Sequence, residues 1–115
     1  MNIRECYDTM GADFEDVLGR LGSESLIQRF ALKFIDDGSY NELTEAITEK
    51  NAEKAFRAAH TLKGICLNLG LKNLYTVSSD LTEKLRGREL DGYEALYEKV
   101  SEQYKITVNA LKSVE

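Results

Sequence analysis

Apolar residues recur at three- and four-residue intervals along most of this chain, and alternating β-branched runs of useful length are absent. The first pattern marks helices with one buried face and the second would mark strands, so the chain predicts an all-helical fold. Over residues 23–37 the stripe is Leu26, Ile27, Phe30, Phe34 and Ile35, with Ser23 as N-cap and Gly38 as terminator. Ser39-Tyr40-Asn41-Glu42 has capping-box spacing and predicts a helix to about Lys50, with Leu43, Ala46 and Ile47 inward. Asn51 is the N-cap of the next helix, which runs to about Leu69 and ends at Gly70. Leu74, Val77, Leu81 and Leu85 form the seam of a helix over 71–86, ended by Gly87. Asp91-Gly92-Tyr93-Glu94 is a second capping-type pattern. It opens a final helix to about Ser113, with Leu96, Val100, Tyr104, Val108 and Leu111 facing in. Residues 1–22 read as one or two short helical pieces interrupted at Gly11, Gly19 and Gly22.

Short connections between long amphipathic helices favour antiparallel neighbours. The expected architecture is an all-α, four-helix up-down bundle over residues 39–113, with additional N-terminal helices packed over one end. A chain of 115 residues supports one modest core. It is expected to be one helical domain, 1–115, with an N-terminal extension (1–22) and a core (23–113).

Composition narrows the function. With 43% apolar and 30% charged residues the chain has the make-up of a soluble globular protein. Net charge is −5 and the cations are scattered, so no basic stripe marks a nucleic-acid partner. No apolar run is long enough to span a membrane, and the mixed, polar start is no signal peptide. A cytoplasmic location follows as the expectation. Cys6 and Cys66, the only cysteines, are expected to be reduced, with Cys66 on the apolar side of its helix.

The candidate chemistry lies in one helix. His60 is the only histidine, and Lys63 and Gly64 follow at i+3 and i+4, its nearest neighbours on a helix surface. On a helical wheel Ala55, Ala58, Leu62, Ile65, Cys66 and Leu69 fall broadly opposite His60. That stripe is complete without the histidine, so the imidazole is expected to face outward. The His60 side also carries Glu53, Phe56, Arg57, Leu67 and Asn68. Two arrangements fit Phe56 and Leu67: cover by flanking helices, or an exposed apolar patch that marks a docking site. Gly64 also has two readings, because a mid-helix glycine costs roughly 1 kcal/mol relative to alanine and needs a reason. Either another helix of this chain packs closely there, or a partner protein does.

A neutral imidazole near pH 7 is a good nucleophile toward phosphorus and forms a labile phosphoramidate. At i+3 the Lys63 ammonium reaches a phosphoryl group on that ring as a flexible point charge. Arg57 and Asn68 are weaker candidates for polar contacts to the same group. Di-iron carboxylate and zinc sites want ligand spacings that one histidine and two distant cysteines do not supply, so no metal is expected. A nucleophile–base hydrolase is disfavoured too, since no Ser or Cys partner lies within helical reach of His60.

Ala59-His60-Thr61-Leu62-Lys63-Gly64, followed by Leu69-Gly70, resembles the motif of histidine-containing phosphotransfer (HPt) domains. The resemblance implies a phosphorelay: the histidine accepts a phosphoryl group from an aspartate of a receiver domain and donates it to another. Carried over by position, His60 is the phosphorylated residue, Lys63 the phosphate-facing cation and Gly64 the clearance residue. Phe56 and Leu67 belong to the receiver-docking surface, with Arg57 and Asn68 beside them. Some members hold the imidazole with a glutamine on the following helix; Thr82 stands near that position here, and 71–86 contains no glutamine. No Gly-rich phosphate loop accompanies the motif, so the chain is expected to carry phosphate without kinase activity or a cofactor of its own. Magnesium is expected in the partner. The implied partners are receiver domains of response regulators or hybrid histidine kinases, met by a monomer that is free-standing if Met1 is its natural start. A different class of reading is a helical adaptor bundle in which His60 is incidental; it predicts that His60 can be changed without loss.

Overall fold

Seven α-helices and one 3-10 turn account for the fold, and no strand forms. The computed structural model describes every residue from Met1 to Glu115. The elements are α1 (Ile3–Met10), α2 (Phe14–Leu21), α3 (Glu24–Lys33), a 3-10 turn (Phe34–Asp36), α4 (Ser39–Thr48), α5 (Ala52–Leu69), α6 (Lys72–Leu85) and α7 (Glu94–Lys112). Helices α4 to α7 form the up-down bundle, with α5 between α4 and α6 and α6 beside α7. Leu43, Leu62, Leu74, Leu81, Leu85, Val100 and Leu111 meet in its interior, essentially free of solvent. Each such side chain contributes roughly 1.5–3 kcal/mol of transfer free energy. The fourth side closes where Tyr40 of α4 stacks on Tyr104 of α7 with ring centroids 4.0 Å apart. There the Tyr40 hydroxyl donates to Ser101 Oγ (2.7 Å), and the Thr44 and Tyr97 hydroxyls bond at 2.7 Å.

The N-terminal helices pack over the end of the bundle where α5 passes into α6. The last carbonyls of a helix lack intrahelical donors. Here the Tyr7 hydroxyl donates to Leu69 O (2.7 Å), and Arg20 donates to Leu67 O (3.0 Å) and Asn68 O (2.8 Å). The chain itself completes the joint, with Asp13 N donating to Gly70 O (2.8 Å) and Asn73 N to Gly11 O (3.1 Å). Residues 1–22 therefore finish the C-terminal end of the longest apolar stripe in the bundle.

Several ends differ from the sequence reading, each for an identifiable reason. Asn51 caps α5 through Lys54 N (3.0 Å) and Gly70 ends it in the left-handed region, both as expected. Helix α3 stops at Lys33, short of Asp37, and Gly38 has an ordinary right-handed φ of −88°. The Ser39 capping box does not form, because the Asp37 carboxylate accepts from both Ser39 N (3.2 Å) and Ser39 Oγ (2.9 Å). Asp91 does not cap α7, whose N-cap is Tyr93 without a side-chain bond. Gly87 is not the left-handed residue after α6; Arg88 is, at φ 58°. Gly19 lies within α2 and interrupts nothing, while Gly11 and Gly22 do end helices. Both cysteines are free and buried, and burial raises their thiol pKa, that of Cys6 to about 11.

Candidate functional site

Helix α5 turns its alanine-rich and leucine-rich face inward: Ala55, Ala58, Ala59, Leu62, Cys66 and Leu69 are buried. Ile65, expected with them, is only half-buried. His60 points the other way and is exposed. The two hydroxyls nearest in pattern are engaged elsewhere, Thr61 donating to Arg57 O (3.0 Å) and Thr82 to Ser78 O (2.7 Å). Thr82 is fully buried and does not orient the ring. The imidazole is left with both nitrogens free.

Lys63 lies one turn along on the α6 side. The neighbouring ion pairs join Arg57 to Glu53 (3.7 Å) and Arg86 to Glu83 (2.8 Å), and leave Lys63 out. Glu83 sits within electrostatic range of the pair: Arg86 chiefly, then Lys63 and His60, hold its carboxyl below the usual range. Of the two readings of Gly64, close packing by another helix of this chain fails. A Cβ built there meets nothing within 4 Å, so no helix of this chain needs the glycine. The missing side chain leaves a clearing beside His60.

The apolar neighbours of His60 part company. Leu67 is 53% exposed, and Asn68 and Arg57 are exposed with it. Phe56 is only 8% exposed, which corrects its reading as part of an exposed patch. It belongs to the buried core, and two arginines from the α6–α7 connection lie over its ring. The Arg88 guanidinium lies 3.9 Å from the Phe56 ring centroid and Arg86 lies 5.5 Å away. Arg88 is held there by Glu53 (3.1 Å) across a left-handed backbone that costs a non-glycine residue of order 1 kcal/mol or more. Phe56 in turn sits beside the histidine, ring centroids 6.0 Å apart. Sequence reasoning missed these two arginines. Arg88 is far from Phe56 in sequence, and only the unusual turn brings it back.

An accessible imidazole, an unpaired ammonium one turn away and a clearing beside the ring suit the attachment of a small anionic group delivered by a second protein. The family model described as the Hpt domain matches residues 37–113, which span α4 to α7, and the chain belongs to that family. No curated protein and no solved structure matches the chain. Hpt domains carry phosphoryl groups on histidine in two-component signalling, act as phosphocarriers rather than kinases, and interact with receiver domains. No helix of this chain is long and apolar enough to cross a membrane.

Proposed function

We propose that His60 is the phosphorylated residue of this Hpt domain and relays a phosphoryl group between aspartates of receiver domains. The observation that carries the reading is the clearing at Gly64, where a Cβ meets nothing within 4 Å, beside an exposed His60. An imidazole nitrogen attacks the phosphorus of an aspartyl phosphate, the P–N bond forms, and the P–O bond to the carboxylate breaks. The aspartate leaves with the electron pair. The ring holds the positive charge it gains on attack, which makes it a good leaving group when the next aspartate attacks in line. Lys63 offsets the charge of the phosphoryl oxygens. Magnesium stays with the receiver, where charge develops on the carboxyl oxygen.

The test is incubation with phosphorylated receiver domains and magnesium, followed by mapping of the label. Acid-labile, base-stable phosphate on the peptide that contains His60 is expected. Label on any other residue, or none from a broad set of receivers, overturns the proposal and favours the adaptor reading. Lys63→Ala is expected to slow transfer by about 3- to 10-fold, the worth of roughly 1 kcal/mol of partly exposed charge-assisted contact. Its melting temperature should not move, since Lys63 joins no ion pair in the fold. Unchanged single-turnover kinetics would remove Lys63 from the mechanism.

A further inference from the structure

Helix α5 borders an open groove that its family-matched neighbours do not close. The groove has a volume of about 420 Å³ and runs between Ile65 and Asn68 of α5 and Leu21, Phe30 and Phe34 of the N-terminal elements. Three of its apolar walls therefore come from residues outside the matched segment 37–113. Phe30 is 38% exposed, an uncommon position for an aromatic ring, and the Lys33 ammonium sits 5.4 Å from its centroid.

We propose that this groove is the selectivity half of the docking surface: it receives an apolar side chain of the receiver domain that exchanges phosphate with His60. The inference rests on the phosphotransfer reading of His60 and extends it to residues that lie far from the transferred group.

Continuity places the occupant. Asn68 lies eight residues beyond His60 on one helix, about 12 Å along the axis at 1.5 Å per residue. A stable protein contact buries about 800 Å² per partner, a disc of about 16 Å radius. A receiver centred over His60 and the Gly64 clearing therefore covers Leu67, Asn68 and the mouth of the groove. Leu67, 53% exposed, adds apolar surface at the same end of α5, with the exposed Asn68 beside it at the groove mouth. Charge agrees with an acidic partner that bears an aspartyl phosphate. Lys63 at one end and Lys33 at the other join no ion pair, whereas Arg20 is paired with Asp16 and Arg57 with Glu53. Asp37, the one carboxylate at the groove, is already bonded to Ser39. The groove is an open trough with few convergent polar groups, which suits a side chain on a protein surface better than a small molecule. A second copy of this chain is the weaker occupant, because each copy has a net charge of −5.

The experiment measures initial rates of transfer to the full chain from receiver domains charged with acetyl phosphate, as a function of receiver concentration. Phe30→Asp and Lys33→Glu are compared with the wild type; both positions are on the surface, and thermal melts check that each variant is folded. The expected result is a rise of about tenfold or more in KM for Phe30→Asp, with kcat within about twofold. A tenfold change corresponds to about 1.4 kcal/mol, near the low end for burying an aromatic ring. Lys33→Glu should raise KM less, and the rise should shrink as salt is added. An unchanged KM in Phe30→Asp overturns the groove. So does sedimentation showing a wild-type dimer that Phe30→Asp dissolves, which assigns the groove to a second copy. Phosphoramidate, a small donor that needs no docking, separates the two levels. If it fails to label His60 in the wild type, the phosphocarrier reading itself falls. If it labels His60 but no receiver exchanges, the receiver reading and the groove fall together.

Discussion

Gly64→Gln is expected to make the protein more stable and to stop it exchanging phosphate. Glycine in a helix interior is roughly 1 kcal/mol less favourable than alanine, and glutamine is nearly as good a helix former as alanine. At most positions a larger side chain offsets that gain by clashing, but a Cβ at Gly64 meets nothing within 4 Å. Gly64→Ala should therefore raise stability by up to about 1 kcal/mol, or Tm by roughly 3–6 °C for a chain of this size. Gly64→Gln should keep most of that gain. Its effect on transfer has the opposite sign. The Gln side chain at i+4 stands beside the imidazole and fills the clearing through which a receiver would approach it. A displacement of about 1 Å from in-line geometry can cost about 100-fold in rate. Exchange with a receiver is accordingly expected to fall by at least about 100-fold in Gly64→Gln, with a smaller loss in Gly64→Ala. Thermal melting and single-turnover transfer on the same preparations decide it. A variant that melts higher and transfers at the normal rate would show that the glycine is not there for a partner. A variant that melts lower would show that the clearing closes in solution.

That opposition of stability and function is also why so much of the site could be read from the sequence. His60, Lys63 and Gly64 are neighbours by helical spacing alone, and the outward direction of His60 follows from a complete apolar stripe on the other side. Asn51 and Gly70 bound α5 through hydrogen bonds that span three or four residues, so their partners are fixed by local sequence. Where the deciding partner lies elsewhere, local pattern fails. Ser39 and Glu42 have capping-box spacing, yet the Asp37 carboxylate competes for the Ser39 donors and wins. Gly87 has the residue type for a left-handed turn, but Arg88 takes that conformation, held by Glu53 and the Phe56 ring. The sequence left Phe56 open between cover and exposure, because the two arginines over its ring come from a connection that no helical wheel of α5 contains. The same limit hid the groove, since Leu21, Phe30 and Ile65 meet only in three dimensions.

Gly70→Ala is expected to cause the largest loss of stability of any single methyl added to this chain. Gly70 has φ 66°, in the left-handed region that costs an ordinary L-residue roughly 1–2 kcal/mol. The new methyl would stand 2.3 Å from Val17 Cγ2 and 2.8 Å from the Asp13 carbonyl oxygen. Val17 is wholly buried and the Asp13 oxygen is backbone, so neither can swing away. To make room, α2 must lift off the α5–α6 corner. That movement strains the Asp13 N to Gly70 O bond and the Arg20 contacts to Leu67 O and Asn68 O. Together these effects predict a loss of about 3–5 kcal/mol, a large part of the 5–15 kcal/mol by which domains are stable. Tm should fall by more than about 10 °C. Because the strain lies at the far end of α5 from His60, labelling by a small phosphoryl donor in the cold should survive in the folded fraction. The Val17 contact can be isolated with a double-mutant cycle: Gly70→Ala should cost less in a Val17→Ala background than in the wild type, by about 1 kcal/mol or more. Additive losses would mean that Val17 yields without strain and that the left-handed backbone alone sets the cost. A Gly70→Ala protein that melts within a few degrees of the wild type would mean that α2 is not docked on this corner. The N-terminal wall of the groove would then lose its support as well.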